Sequence, residues 1–280
     1  MFLFILTLIQ LEFWVLFVGI ELVDLYAGYR GGQFILRGVD LRITSNTIIL
    51  GPNGSGKTTL LRTILGVTVS KRGRVLIDGV DVDSVRGRPG LVATNLPEVV
   101  IFTRLPVKHV ASYYLDVLGG DYEFFKDLAT RLGGVEVLEK RFRELSAGLK
   151  KIVLNTLAIA TRARYILLDE PFESLDPAKR VAMLKEIVRA SGVKVMDTHA
   201  TWLLRALPEW DTYLMAEGLV YGPLRPRELE ELRVSKEPVE DAVLTIKLRT
   251  GNIYLSKTTG TTLSSLESLD KLYEVLTWQY

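Results

Sequence analysis

The stretch Gly51-Pro52-Asn53-Gly54-Ser55-Gly56-Lys57-Thr58 has the spacing G-x-x-x-x-G-K-[ST] of a loop that wraps a polyphosphate. Backbone N–H groups close on phosphate oxygens only where the chain turns sharply and carries little side chain, which is why glycine recurs in this stretch. Lys57 supplies a cation for the β- and γ-phosphates, and Thr58 offers a hydroxyl to Mg2+. Thr59 opens the following helix and joins the phosphate-binding set, with the helix N-terminus aimed at the anion. A second group lies downstream, where the apolar run Ile166-Leu167-Leu168 ends in Asp169 and Glu170. Beside a phosphate loop, an aspartate at a strand end can hold Mg2+ through water, and the next glutamate can take the proton of an attacking water. An acidic turn is the plain alternative for this pair, and the upstream phosphate loop tells against it.

These groups need elements to hold them. Thr47–Leu50 reads as a short buried strand entering the loop, and Thr59–Leu65 as the helix leaving it. Tyr165–Leu168 is a continuous apolar run, the mark of a strand buried on both faces. Ile20–Leu25 alternates loosely and predicts an edge strand. Phe34–Ile43 predicts one or two strands kinked at Gly38, and Arg74–Ile77 a strand followed by an Asp78-Gly79 turn. Val107, Val110, Tyr114, Val117 and Leu118 recur at helical spacing; Gly119-Gly120 ends that helix and Asp121 caps the next. A helix follows Ser146, another opens at Pro177, and strands follow at Val193–Met196, Asp211–Met215 and Leu219–Tyr221. Strands alternating with helices predict an α/β fold with a mostly parallel sheet. Beyond Leu224 the composition turns polar, with a hairpin about Arg249-Thr250-Gly251-Asn252 and a closing helix over Leu266–Thr277.

Composition narrows the class. The chain has 280 residues, 48% hydrophobic, which supports one sizeable core or one domain with a small appendage. Lys+Arg 35 against Asp+Glu 33 leaves a net charge of +2, no basis for a nucleic-acid partner. The 0 cysteines exclude disulfides and thiolate chemistry, and 2 histidines, His109 and His199, argue against a multi-histidine metal site. Met1–Ile20 is almost wholly apolar, and no Lys or Arg precedes Arg30. About 20 apolar residues can cross a bilayer, but Glu12 sits near the middle, where an acid costs about 2.5–3.5 kcal/mol, and a signal peptide's basic start is missing. Three readings stand: a chain start assigned too early, with the domain beginning near Val18; a membrane- or partner-binding helix; and a core helix.

Further motifs complete a pattern. Leu145-Ser146-Ala147-Gly148-Leu149 precedes the apolar strand, Asp169-Glu170-Pro171-Phe172-Glu173-Ser174-Leu175-Asp176-Pro177 follows it, and Asp197-Thr198-His199 closes the next strand. In this order the chain resembles the ATP-binding subunit of ABC transporters, with the likeness running from Ile20 to Arg227. The resemblance implies a P-loop NTPase of the ABC-ATPase fold, with a mostly parallel core sheet, an antiparallel β subdomain and a helical subdomain. It places the ATPase domain at 20–223, its helical subdomain at about 97–162, an apolar segment at 1–19 and a small α+β extension at 224–280. It implies ATP and Mg2+ as cofactors, with Tyr29 stacking on adenine and Gly51, Pro52, Asn53, Gly54, Ser55, Gly56, Lys57, Thr58 and Thr59 holding phosphate. Asp169 and Thr58 would serve Mg2+, with Asn95 at the position where the family has a glutamine. Glu170 would be the general base, and His199 would contact the γ-phosphate.

The family works as two cassettes facing head to tail, so Ser146, Ala147, Gly148 and Asp176 would act on the partner's nucleotide. Ala147 and Leu149 depart from the family's LSGGQ, and Asn95 is one methylene shorter than glutamine. The partners implied are a second cassette, a homodimer being favoured over a heterodimer, and a transmembrane permease, which places the chain on the cytoplasmic face of the membrane; no nucleic acid is expected. Leu96, Val99, Val100, Ile101 and Phe102 make the segment after Asn95 apolar for a loop, as permease docking requires. The competing readings are a soluble ATPase of this type or a regulatory cassette. The short interval between the P-loop and Ser146 excludes the chromosome-maintenance relatives; the ribosomal ones carry two cassettes in one chain, against one here.

Overall fold

The computed structural model describes residues 18–29, 31–68, 70–99, 104–263 and 269–270. The apolar segment before Val18, residues 100–103 with Val100, Ile101 and Phe102, and all but Leu269 and Asp270 of the closing helix predicted over Leu266–Thr277 lie outside the described residues.

In chain order come strands β1 (Ile20–Gly28), β2 (Leu36–Ile43) and β3 (Thr47–Leu50), helix α1 (Lys57–Ile64), and strands β4 (Ser70–Ile77), β5 (Val80–Asp81) and β6 (Val92–Thr94). Helices α2 (Val107–Leu118), α3 (Tyr122–Gly133) and α4 (Ala147–Ala160) lead to β7 (Tyr165–Asp169), α5 (Pro177–Arg189), β8 (Val193–Thr198), β9 (Asp211–Ala216) and β10 (Leu219–Leu224). The chain ends its described part in β11 (Arg233–Ser235), β12 (Leu244–Leu248), β13 (Gly251–Ser256) and β14 (Thr261–Thr262).

The central sheet has the order β10-β9-β3-β8-β7-β6. All neighbours in it run parallel except β10, which pairs antiparallel at one edge. Parallel neighbours require crossovers, so both faces become covered. Alternation along the strands shows this directly. Ile48 and Leu50 of β3 and Ile166 and Leu168 of β7 pack with Met183 and Ile187 of α5. Ile49 and Leu167, one residue out of step, pack on the other side with Leu60, Leu61 and Ile64 of α1 and with Ile20 and Leu22 of β1. The continuous apolar runs of these two strands follow from that double burial.

The antiparallel sheet has the order β2-β1-β4-β5. β1 therefore has a partner on each side and is not the edge strand its sequence predicted. Alternation reports that one face of a strand is buried; it carries no record of how many of its edges are paired. Asp78 and Gly79 join β4 to β5 with φ of 52° and 77°, the mirror-image turn that suits strand twist.

The helices α2 to α4 enclose a core of their own, with Leu115, Phe125, Leu154 and Leu157 at its centre. α2 stops at Gly119, and the side chain of Asp121 caps α3 by accepting from the Phe124 N–H at 2.9 Å, as the sequence predicted. After Leu224 the chain builds a third sheet, β12-β13-β11-β14, whose hairpin turn is Arg249-Thr250 alone, with Gly251 and Asn252 already in β13. Ile246 and Leu255 of this sheet and Leu229 of the short helix Pro226–Glu231 join the same apolar cluster as Ile48 and Ile166, so the extension is packed onto the central sheet. Among the described residues no helix is long and apolar enough to cross a membrane.

Candidate nucleotide-binding site

Strand β3 ends between β8 and β9 and delivers the chain to Gly51 at the carboxyl edge of the parallel sheet, where ligands of such sheets gather. A Cβ on Gly51 would lie 2.4 Å from the Met215 carbonyl oxygen, so this glycine answers to the close approach of β9. Gly56 sits at φ 107°, in the left-handed region, immediately before α1. No side chain caps α1, which leaves the N–H groups of its first turn for an anion.

The catalytic candidates converge here from three strand ends. Lys57 is buried at 6% exposure; its Nζ donates to the Gly51 and Pro52 carbonyls at 2.8 and 3.1 Å and stands 3.6 Å from Glu170 Oε1. The Thr58 hydroxyl donates to Asp169 Oδ1 at 2.7 Å. Glu170 takes a left-handed backbone, φ 42°, a strained conformation of the kind that collects at functional sites. Its Oε1 lies 2.7 Å from His199 Nδ1, and its Oε2 accepts from the Thr198 hydroxyl at 3.1 Å. The chain thus brings together Lys57, Thr58, Asp169, Glu170 and His199 from the ends of β3, β7 and β8.

The sequence reading gave no role to Asp197, which is fully buried and accepts from the Glu170 N–H at 2.9 Å. Burial first, then the charges of Asp169 and Glu170, push its carboxyl well above the usual carboxylate range. Its one signal in the sequence is an acid two residues before a strand-end histidine.

The donor set fits Mg2+. Thr58 Oγ1 and Asp169 Oδ1 are hard oxygens 2.7 Å apart, and the neighbouring carboxylates outnumber the single charge of Lys57. Among the described residues no group of three or more His, Asp or Glu side chains is arranged to hold an ion alone. Mg2+ bound mainly by phosphate and water asks for one or two protein oxygens only.

Asn95 behaves differently from expectation. Its Oδ1 accepts from the Asp169 N–H at 2.7 Å, and its Nδ2 donates to the Asp169 carbonyl at 3.0 Å and to Asn155 Oδ1 at 2.7 Å. Both ends of the amide are engaged with protein. Leu96, read as part of a docking surface, is buried.

Tyr29 is 46% exposed beside the loop, and its hydroxyl accepts from Arg62 Nη1 of α1 at 2.8 Å. Ser146 caps α4, accepting from the Leu149 N–H at 3.3 Å, and Ser146 and Ala147 are exposed. A Cβ on Gly148 would lie 2.6 Å from the Ser174 carbonyl, so α4 presses against the loop after Glu170. Asp176 caps α5; the Lys179 N–H, donating at 2.9 Å, holds its carboxyl below the usual range. None of the described hydrogen bonds joins Ser146, Gly148 or Asp176 to the chain's own phosphate loop.

The extension also reaches the loop. Asp270 accepts from the Asn53 N–H at 2.6 Å and from its Nδ2 at 3.0 Å, while the Leu269 N–H donates to the His199 carbonyl at 3.1 Å. A carboxylate seated on a phosphate-loop donor opposes an incoming phosphate. Asp270→Ala is therefore expected to tighten ATP binding roughly two- to fivefold, the scale of an exposed ionic contact. A titration with a fluorescent ATP analogue checks this, and weaker binding would show that the contact supports the loop instead.

Comparison with known proteins gives consistent matches. The family model described as ABC transporter matches residues 36–173. A Pyrococcus furiosus protein named as an ABC transporter ATP-binding protein is 32% identical over 239 residues, covering 80% of this chain and 87% of that protein. The energy-coupling factor transporter ATP-binding protein EcfA1 of Symbiobacterium thermophilum is 32% identical over 266 residues, covering 86% of this chain and 90% of its own. A solved structure named as a cobalt transport ATP-binding protein aligns with a TM-score of 0.80 at 29% identity, over 91% of this chain and 99% of that chain.

Proposed function

The chain belongs to the ABC transporter family, as an ATP-binding subunit, and from that premise we propose that it hydrolyses MgATP in a pair of cassettes docked on a membrane permease. The observation that carries the reading is the placement of Glu170. Its carboxylate stands 2.7 Å from His199 Nδ1 and 3.6 Å from Lys57 Nζ, one residue beyond the Asp169 that touches Thr58.

In this reading the phosphate loop and the first turn of α1 take the phosphates, with Lys57 against the β- and γ-groups. Tyr29 takes the adenine. Thr58 and Asp169 would hold Mg2+, which would supply positive charge against the phosphates. Glu170 accepts the proton of the attacking water, and the water's oxygen takes the γ-phosphorus as the bond to ADP breaks. His199, hydrogen-bonded to Glu170, orients that carboxylate and reaches the γ-phosphate. The exposed Ser146 and Ala147, with Gly148 and Asp176, face a second cassette and complete its nucleotide site.

We assign residues 20–223 to the ATPase domain, with a helical part at about 97–162, and 224–280 to an extension. The chain sits on the cytoplasmic face through the segment after Asn95. A homodimer is the simplest arrangement, since Glu170 is intact and each chain then supplies one loop and one Ser146–Gly148 signature. Association of two identical chains makes ATPase activity rise with the square of protein concentration at low levels. A rate measurement across a dilution series is the test. No activity at any concentration, restored by a second cassette protein, would replace the homodimer with a heterodimer; none in either case would sink the hydrolysis reading.

A further inference from the structure

We propose that Asn155, acting through Asn95, is a positioning residue for the catalytic carboxylates: a buried amide relay that ties the helix opened by Ser146 to the main chain of Asp169. Asn95 and Asn155 are 1% and 0% exposed. Strand β6 stops at Thr94, and the Asn95 N–H still donates to the Leu167 carbonyl at 3.3 Å. The Asn95 side chain then supplies the next rung of the ladder, holding the Asp169 N–H and carbonyl at 2.7 and 3.0 Å. An amide that grips both polar groups of one residue fixes its peptide planes as a neighbouring strand would.

Asn155 fixes the grip in turn. Its Oδ1 accepts from Asn95 Nδ2 at 2.7 Å, which sets the orientation of the Asn95 amide, and its own Nδ2 donates to the Pro171 carbonyl at 2.6 Å. Asp169 and Glu170 are therefore held on one side through Asn95 and on the other through Pro171. One turn earlier on the same face of α4, Lys151 Nζ donates to the Asp169 carbonyl at 2.9 Å. Two side chains of α4 thus converge, directly or through Asn95, on the carbonyl that immediately precedes the left-handed Glu170. With Nδ2 donating twice and Oδ1 accepting, Asn95 serves Mg2+ indirectly, by orienting Asp169.

The inference rests on the reading of Asp169 and Glu170 as metal-binding and water-activating groups. Its test measures kcat, KM for ATP, and the Mg2+ midpoint of ATP-analogue binding without turnover, in Asn155→Leu, Asn95→Leu, the double variant and Lys151→Met. The double variant removes the asparagine amide that each single variant leaves without its Asn95–Asn155 bond, while the Asp169 N–H and the Pro171 carbonyl lose their partners in it as well; Lys151→Met alters a half-buried side chain and folds independently of the pair. The expected result is a fall in kcat of about tenfold or more in the asparagine variants, as misplacement of reacting groups produces, with a smaller fall in Lys151→Met. KM stays near the parent value, any shift of the Mg2+ midpoint is shared by Asn95→Leu and Asn155→Leu, and the double variant melts no lower than the less stable single variant. Parent-like kcat in Lys151→Met and in a folded asparagine variant overturns the inference. So does a shifted Mg2+ midpoint in Asn95→Leu but not in Asn155→Leu, which makes Asn95 a metal ligand. Glu170→Gln run alongside separates the failures: turnover retained there sinks the underlying reading, whereas turnover lost there and intact in Asn155→Leu sinks the relay alone.

Discussion

Glu170→Gln is expected to bind MgATP as the parent chain does and to lose turnover by roughly 10²- to 10⁴-fold, the contribution of a positioned general base. The amide has nearly the same shape as the carboxylate, so the left-handed backbone at φ 42° and the hydrogen bond from Asp197 Oδ1's partner, the Glu170 N–H, persist. What disappears is the proton acceptor between His199 and Lys57. Affinity is set elsewhere, by the loop and α1, so the two properties separate. Single-turnover kinetics beside an equilibrium titration read both. A rate within a few-fold of the parent would show that Glu170 is not the base, and a large loss of affinity would place it in phosphate binding.

Lys57→Ala is expected to weaken ATP binding by about 100-fold or more, since truncating one member of a buried charge pair costs roughly 2–5 kcal/mol. Lys57 is the buried cation beside Glu170, and nearby Asp197 already resists ionisation, through burial first and then the charges of Asp169 and Glu170. Without Lys57 a polyphosphate meets Asp169 and Glu170 without the cation that stands 3.6 Å from Glu170 Oε1. Nζ donates here to the Gly51 and Pro52 carbonyls, so the side chain lies folded against its own loop and has only to turn from them to meet a phosphate. Equilibrium titration with a fluorescent ATP analogue decides the matter; parent-like affinity in the folded variant removes Lys57 from the phosphate site.

The sequence by itself determined the parts whose shape is local. The phosphate loop is eight consecutive residues between a strand and a helix, so glycine placement and a helix N-terminus suffice to specify it. Helix starts at Asp121, Ser146 and Asp176 were legible for the same reason, since each cap bonds an N–H three residues on. The motif order gave the family, and with it the roles expected of Asp169, Glu170 and His199, before any distance was known.

Only the tertiary structure decided what those residues touch. β1 proved to be an interior strand because pairing on a second edge leaves no mark on alternation. Asn95 grips the main chain of Asp169 because Asn155, on a helix sixty positions away, takes its amide. Asp197 became part of the site through the register that sets it opposite Asp169, and Asp270 through a fold-back of 217 residues onto Asn53. Spacing along the chain encodes contacts within a turn or a strand. A hydrogen bond between distant side chains depends on sheet order and helix docking, and these are fixed by the packing of the whole core.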